Sequence, residues 1–192
     1  MVVFPNCKIN IGLNILRKRD DGFHDLETVF FPIFQLKDAL EILPKQVIEP
    51  SIEANDDESQ VDFRLSGMSV NGDPSDNLCV KAYRQLKRDY PSLPKINMHL
   101  LKSIPMGAGL GGGSADGAFT LQLLNSKFHL KLTTEQLLDY ALRLGSDCPF
   151  FIINKPYFVP VIFNAIIKSQ YPIFLSFISF NIFLFKNNPA KL

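Results

Sequence analysis

The residues with the clearest chemical potential form a glycine cluster at positions 107–113. Five glycines fall within these seven residues, in the run Pro105-Met106-Gly107-Ala108-Gly109-Leu110-Gly111-Gly112-Gly113-Ser114-Ala115. Glycine adopts positive φ angles and lets backbone N–H groups approach an anion without an intervening Cβ. An apolar helix predicted from Ser114 would direct its unpaired N–H groups and its positive dipole end at the same place. The cluster therefore predicts a di- or triphosphate site, with the Ser114 hydroxyl placed to contact phosphate or metal.

Several known glycine patterns compete for this cluster. Gly107 to Gly112 satisfies the dinucleotide pattern GxGxxG, but the acidic residue expected about 20 residues later at a strand end is missing, because that region is predicted helix and loop. The Walker A loop needs a lysine that the cluster lacks, and the protein-kinase HRD and DFG sequences do not occur. A connector without a ligand is the remaining alternative, but connectors seldom open directly onto an apolar helix.

Other candidate residues are ambiguous on local grounds. A lysine on a strand, such as Lys8, is usually a solvated edge charge, and Asp147, close before Pro149, could simply cap a turn. His99 and His129 have no motif around them and are interpreted as structural or exposed. The cysteines are also interpreted as structural, since the three of them (Cys7, Cys79, Cys148) show no CxxC spacing that would indicate zinc or disulfide bonds.

Composition limits the classes of partner. The chain has 192 residues, 46% of them hydrophobic, and a formal net charge of +1. That length allows one domain, or one domain and part of a second. The balanced charge gives no long-range field for nucleic acid or an anionic membrane, so phosphate recognition must be local. The first residues lack the apolar core of a signal peptide and the thiols suit a reducing compartment, so a cytoplasmic location is expected.

Strands and helices are predicted to alternate around the glycine cluster. Apolar alternation predicts a half-buried strand over 7–19, which forms a hairpin with a second strand over 26–34. Helix signals include the Thr133 capping box and the breakers Pro91 and Gly145. The remaining predicted strands cover 39–43, 51–66, 95–104 and 148–153, and the helices cover 77–90, 114–128 and 134–144. This order predicts an α/β fold.

The glycine run closely resembles the central motif of the GHMP small-molecule kinases. Three further stretches make this resemblance specific. The sequence around Lys8 (7–13) resembles the N-terminal strand of these enzymes, 19–24 resembles their RxDGYH turn, and 144–151 resembles their LGxDxPFF segment. The triple glycine before Ser114 points to the branch of the non-mevalonate isoprenoid pathway that phosphorylates cytidyl diphosphate methylerythritol. The matches lie in the right order between residue 2 and about residue 157.

This resemblance implies a fold and an activity. The expected fold is α/β (α+β), a GHMP-kinase N-terminal domain similar to the ribosomal protein S5 domain 2-like fold, over residues 1–157. The expected reaction is phosphorylation of the 2-hydroxyl of the cytidyl diphosphate methylerythritol, with ATP and Mg²⁺ as cofactors. The expected partner is that small molecule alone, with no nucleic acid and no membrane. The oligomeric state is left open.

The resemblance also implies residue roles. Asp147 matches the catalytic carboxylate that takes the proton from the accepting hydroxyl. Lys8 matches the lysine that pairs with it and offsets charge at the transferred phosphoryl group. Residues 105–115 match the ATP-binding motif, and Ser114 is the one candidate for a metal contact, through Mg-ATP. Ala115 stands where a second serine is frequent, which removes one hydroxyl.

Substrate-binding positions are implied for Asn10, Phe23 and His24. The His24 side chain would bind the cytosine edge. Phe23 replaces the usual tyrosine, so ring stacking on the base is kept while the hydroxyl is lost. Cys7 replaces the common alanine before the lysine, which is a change between small residues.

The tail, residues 158–192, does not resemble the family. From Phe151 onward the chain has no Asp, Glu, Gly or Arg, yet holds 8 of the 17 phenylalanines. We expect the second family domain to be missing or replaced, through a frameshifted reading of an AT-rich gene. A membrane anchor is the competing interpretation, but the apolar run 173–185 is shorter than the roughly 20 residues a span needs. Core-filling or aggregation-prone strands remain alternatives.

Overall fold

The computed structural model describes residues 1–18, 24–45, 60–70 and 72–159. The chain divides into two compact units, one formed by Met1–Ile9 and Pro32–Asn154, the other by Asn10–Phe31 and the residues from Lys155 onward. Each unit is described by itself. None of the helices in the described ranges is long and apolar enough to cross a membrane. The expectations for the tail fall on 160–192, outside the described residues.

A mixed four-stranded sheet forms one layer of the first unit. The strands in the described part of the chain are β1 (Val2–Val3), β2 (Asn6–Lys18), β3 (His24–Lys37), β4 (Ala39–Pro44), β5 (Val61–Gly67), β6 (Ile96–Lys102) and β7 (Tyr157–Val159). The sheet has the order β1-β4-β6-β5, in which β4 runs antiparallel to β1 and β6 while β5 runs parallel to β6. The predicted strands over 39–43 and 95–104 are thus confirmed, and of the stretch 51–66 the part from Val61 forms β5.

The described residues of the first unit also form four α-helices and a short 3-10 helix at Pro74–Asp76. The α-helices are α1 (Leu78–Asp89), α2 (Gly112–Lys127), α3 (Thr134–Leu144) and α4 (Cys148–Ile153). The core lies between the sheet and these helices, because Ile96, Met98 and Leu100 of β6 alternate onto the buried face. α2 is central, since it contacts α1, α3, α4 and β4. Its small and apolar residues are buried around most of its circumference.

The predicted helix ends agree with the observed caps. The Asn77 side chain accepts a hydrogen bond of 2.9 Å from the Cys79 backbone N–H and starts α1. Thr133 and Gln136 form a complete capping box at α3, which ends at Gly145. These are local signals, in which a side chain satisfies an otherwise unpaired backbone group, so sequence alone can place them.

Two predictions about elements are corrected. The segment 148–153, predicted as a strand, is the helix α4, with Pro149 in its first turn. Proline has no N–H to give to a strand ladder but is tolerated at the start of a helix, where that N–H has no partner. α2 begins at Gly112, two residues before the predicted start at Ser114.

The alternating face of β2 is also not buried as predicted. Ile11, Leu13 and Ile15 are 50%, 56% and 60% exposed. The alternation correctly indicated a strand, but it did not show what packs against that strand. Period-2 patterning indicates that one face is apolar, and burial depends on a second layer.

The second unit is built on a three-stranded sheet of order β2-β3-β7. The pairing of β2 with β3 confirms the predicted hairpin, whose turn residues 19–23 lie outside the described ranges. β3 runs antiparallel to β7, with Val29 opposite Phe158. Asn10 of β2 donates a 3.2 Å hydrogen bond from Nδ2 to the Thr28 hydroxyl of β3.

Candidate active site

The glycine loop connects β6 to α2 and has the backbone that the sequence predicted. Gly107, Gly109 and Gly111 have φ angles of +73°, +73° and +70°, which other residues rarely adopt. A Cβ added at Gly107, Gly109 or Gly113 would meet no atom within 4 Å, so the space beside these residues is open. Gly111 is the N-cap of α2 and provides no side-chain cap, so the N–H groups of the first turn face this region without a capping side chain. Such a terminus suits an anion.

Lys8 lies directly against the end of this loop. Its backbone N–H donates a 2.9 Å hydrogen bond to the carbonyl of Leu110. Its side chain passes beneath Gly111, because a Cβ at that glycine would lie 3.1 Å from Lys8 Cγ and 3.2 Å from Lys8 Cε. The same Cβ would lie 3.1 Å from the Phe151 ring. Gly111 is therefore required both by its positive φ and by this close approach.

Asp147 faces the Lys8 ammonium. Asp147 Oδ2 lies 3.5 Å from Lys8 Nζ, and the two side chains are 31% and 6% exposed. Lys8 is thus not a solvated edge charge. Asp147 holds the N-cap position of α4, but its side chain makes no capping hydrogen bond, so the simple turn-cap interpretation is wrong. A half-exposed carboxylate beside a buried ammonium can accept a proton from a bound hydroxyl.

Ser114 and Cys148 meet beside the first turn of α2. Burial raises the pKa of the Cys148 thiol to about 12, with a hydrogen bond from Ser114 opposing the shift. The thiol is therefore protonated at neutral pH. Cys7, Cys79 and Cys148 are all free and buried, and burial raises the pKa of each, which agrees with a structural role.

A buried ion cluster next to the loop was not predicted from the sequence. It consists of Asp38, Lys102 and Asp116, whose side chains are at most 3% exposed. Lys102 Nζ donates hydrogen bonds to Asp38 Oδ2 and, at 2.8 Å, to Asp116 Oδ2. One signal could have found it: the alternation of β6 puts Lys102 on the same buried face as Met98 and Leu100, where an unpaired lysine is not tolerated.

The cluster has two carboxyl groups but only one ammonium, so its negative and positive charges would not balance if both carboxyl groups were ionised. Burial raises the pKa of Asp116 to about 7; Lys102 opposes the shift and the Asp38 carboxylate adds to it. Burial lowers the pKa of Lys102, but Asp116 and Asp38 outweigh that effect, so its pKa is raised and it stays charged. Leaving one carboxyl group protonated near neutral pH avoids burying a net negative charge.

The structure brings together part of the predicted site. Lys8, Asp147 and the loop 105–115 converge in the first unit. Asn10 belongs to the second unit, where it bonds Thr28. His24 begins β3 but its side chain, like the whole of Phe23, is outside the described residues. Within the described ranges, no group of three or more His, Cys, Asp or Glu side chains is arranged to hold a metal ion.

The fold and this site define a class of protein. Residues 77–155 match the family described as GHMP kinases N terminal domain, so this segment is a GHMP kinase N-terminal domain. The matched segment contains the glycine loop, α2 and Asp147. The N-terminal-domain fold predicted from the sequence is therefore confirmed.

Within this class, the chain is similar to one particular kinase. The chain is 52% identical over 164 residues to 4-diphosphocytidyl-2-C-methyl-D-erythritol kinase of Bacteroides fragilis, a match covering 85% of this chain and 56% of that protein. Identity to the same kinase of Bacteroides thetaiotaomicron is 50%, with the same coverage. A crystal structure of 4-(cytidine 5'-diphospho)-2C-methyl-D-erythritol kinase superposes with a TM-score of 0.65 at 30% identity, covering 83% of this chain and 51% of that one. The chain spans about half the length of these relatives.

Proposed function

We propose that this chain binds ATP at the glycine loop and transfers its γ-phosphoryl group to the 2-hydroxyl of 4-diphosphocytidyl-2-C-methyl-D-erythritol. The observation that carries the proposal is the Lys8–Asp147 pair at the end of the loop, 3.5 Å apart between Nζ and Oδ2. The relatives that bear the name of this kinase support the choice of substrate. Reaction within the cytoplasm agrees with three buried free thiols.

The loop supplies the binding step. Backbone N–H groups at the start of α2 and around Gly107 and Gly109 hydrogen-bond the phosphate oxygens, and the helix dipole favours their negative charge. The absence of side chains at these glycines lets the backbone approach the phosphates closely. The other residues of the run 105–115 shape the same loop.

Asp147 and Lys8 supply the chemical step. The substrate oxygen forms a bond to the γ-phosphorus, the bond from that phosphorus to the bridging oxygen breaks, and ADP leaves. Asp147 accepts the proton of the substrate hydroxyl. The Lys8 ammonium offsets negative charge on the transferred group, and its burial strengthens that effect. Catalysis of this kind consists mainly of positioning and charge stabilisation.

Mg²⁺ fits this proposal as a companion of ATP. Magnesium is usually held by substrate phosphates and one or two protein groups, so it needs no dedicated cluster of ligands. The Ser114 hydroxyl, in the first turn of α2, is the protein group that would hold it. The ion would neutralise charge on the phosphates.

The substrate positions follow from the family resemblance. Asn10, Phe23 and His24 would form the pocket for the cytidyl group, with His24 on the base edge and Phe23 stacked on the base. Residues 1–157 would constitute the kinase N-terminal domain, with 158–192 a tail unlike the family.

Nucleotide binding without turnover is the alternative function. The match covers 56% of the Bacteroides fragilis kinase, so the remaining part of that protein has no matched counterpart in this chain. The glycine loop would still bind ATP. This alternative predicts ligand binding but no transfer.

A coupled assay of ADP release separates these functions. With the cytidyl substrate present, the 192-residue chain should release ADP faster than its Asp147→Asn variant, by a factor of about 100 or more. No turnover above that variant would contradict the kinase proposal. A rise in melting temperature with a non-hydrolysable ATP analogue would then support binding alone, and the absence of any rise would contradict both functions.

A further inference from the structure

The buried ion cluster Asp38–Lys102–Asp116 contacts the chain on both sides of the glycine loop. On the strand side, Asp38 Oδ1 accepts hydrogen bonds from the backbone N–H groups of Ser103 and Ile104, at 2.6 and 2.8 Å. On the helix side, Asp116 lies in the second turn of α2 and accepts the 2.8 Å bond from Lys102. The loop, residues 105–111, is therefore held at both ends, and the Lys102 ammonium bonds to the carboxyl groups at these two anchors.

The cluster also fits tightly under the first residue of α2. A Cβ at Gly112 would lie 2.8 Å from Ile104 Cγ2 and 3.2 Å from Lys102 Nζ. The Lys102 ammonium thus lies directly against the backbone at the helix start, where the N–H groups face the open space of the loop. A shift of Lys102 or of Asp116 would be transmitted to these groups without an intervening flexible side chain.

Stability alone does not account for such a cluster. Burying charged groups is costly, and replacing a buried ion cluster with apolar residues is often neutral or stabilising. Here the arrangement also leaves Asp116 Oδ1 buried without a hydrogen-bond partner among the described residues. The cluster makes directional hydrogen bonds on both sides of the loop, which apolar packing would not provide.

We propose that the Asp38–Lys102–Asp116 cluster positions the glycine loop for nucleotide, with Asp116 and Lys102 acting as positioning residues that touch no substrate. The inference rests on the proposed function, because it assigns the loop a nucleotide. It deepens that function by assigning the geometry of the phosphate site to three side chains behind the loop. Loss of the bond between Lys102 and Asp116 should relax the loop and weaken nucleotide binding.

The test compares two substitutions at Asp116 in the full chain. Asp116→Ala removes the acceptor for Lys102. Asp116→Asn keeps an oxygen for Lys102, and its amide can donate to the neighbouring Asp38 carboxylate. A matched control is Leu86→Ala, which opens a cavity at a fully buried position of α1 and lowers stability by another route.

Calorimetric titration with ADP, at a temperature where all variants are folded, provides the first measurement. We expect the Kd to rise about tenfold or more for Asp116→Ala, and to stay within about threefold of the original chain for Asp116→Asn and Leu86→Ala. Equal losses for Asp116→Ala and Leu86→Ala would overturn the proposal, because the cluster would then be one more part of the core. A Kd unchanged by Asp116→Ala would overturn it too.

Hydrogen exchange on the unliganded chain keeps this test separate from the proposed function. The amides of Ser103 and Ile104 bond Asp38, and the amide of Ala115 bonds Gly111, so exchange there reports on both anchors. Asp116→Ala should speed exchange in the peptides that cover 103–116, whereas Leu86→Ala should not. If the original chain binds no ADP, the proposed function fails while exchange still decides the positioning role; unchanged exchange in Asp116→Ala would overturn it.

Discussion

The contact between Gly111 and the Lys8 side chain fixes the end of the phosphate loop. A methyl group at Gly111 would have to fit 3.1 Å from both Lys8 Cγ and the Phe151 ring, at a φ of +70°. Both demands act at one residue. The position of the Lys8 ammonium and the conformation of the loop are therefore coupled.

We expect Gly111→Ala to lower the free energy of unfolding by about 2 kcal/mol or more. Alanine is strained in the left-handed backbone conformation of this residue, and its methyl group would overpack against its neighbours. Nucleotide affinity should fall as well, because Lys8 must move. Denaturant titration and calorimetry measure the two effects. Gly113→Ala is the matched control for stability, since a Cβ there meets no atom within 4 Å. An equal loss of stability in the two variants would contradict the proposed coupling.

The raised pKa of Asp116 predicts how the stability of the chain depends on pH. Its pKa is raised from 3.8 to about 7 in the folded chain, chiefly by burial. Between these values the unfolded chain has released the proton that the folded chain still holds, so the free energy of unfolding falls as pH rises from about 4 to about 7. Asp116→Asn should remove this contribution, which urea titrations of both proteins across that range would show. Parallel pH profiles for the two proteins would contradict it.

Single residues also show which parts of the site the sequence could predict. The glycine loop was predictable because its chemistry is local: alternating glycines are needed for positive φ angles next to a helix start. The contact of Lys8 with Asp147 was expected only through the family resemblance, because their spacing along the chain says nothing about their distance. Asp38 was missed, since a lone aspartate after a strand is common on surfaces.

Among the elements, β6 and α2 carry the buried ionisable groups that connect the sheet to the helices. Lys102 ends β6 and Asp116 lies in the second turn of α2, so their bond joins the sheet to the central helix. Removing one partner of a buried ion cluster leaves charge without compensation. Here the Asp38 carboxylate would lose its buried counter-ion, and Asp116 would lose the hydrogen bond that Lys102 donates.

Lys102→Met should therefore lower the free energy of unfolding by about 3–5 kcal/mol, although methionine is apolar and similar in length. Lys81→Met is the matched control: its ion pair with Asp76 lies on the surface, and such pairs contribute about 1 kcal/mol at most. Chemical denaturation measures both. A loss for Lys102→Met no larger than for Lys81→Met would show that the cluster does not bear on stability in this way.

Elements differ in how well sequence defines them. α1 and α3 were predictable because Asn77 and the Thr133 capping box satisfy backbone groups locally. α4 was not, because a buried apolar run of six residues has no period that distinguishes a strand from a helix. Its identity depends on packing against α2 and α3, which local sequence does not encode.

For the molecule as a whole, the main apolar feature on the surface of the described residues is β2. Ile11, Leu13 and Ile15 lie on one face of a strand at the end of the order β2-β3-β7, and each is at least half exposed. Exposed apolar strands at a sheet edge favour association. Fold class could be anticipated from the family resemblance, but this exposure could not, because alternation does not identify the opposing layer.

We expect the chain to self-associate with rising concentration through this face. The double substitution Ile11→Thr, Ile15→Thr keeps β-branched residues, which favour strands, and should reduce association in sedimentation velocity. Val61→Thr, on β5 of the other sheet, is a control for the loss of an apolar side chain. Unchanged association in the double variant would show that this face is not responsible.

We propose that Lys8, Asp147 and the glycine loop form one phosphoryl-transfer site. Phosphorus NMR of the 192-residue chain with ATP, Mg²⁺ and 4-diphosphocytidyl-2-C-methyl-D-erythritol would observe the transfer itself. We expect a new phosphomonoester resonance on the substrate, which forms as ADP appears. The Asp147→Asn variant, still able to bind nucleotide, should not produce this resonance. Transfer at the same rate by Asp147→Asn, or ADP formed with no phosphorylated substrate, would contradict it.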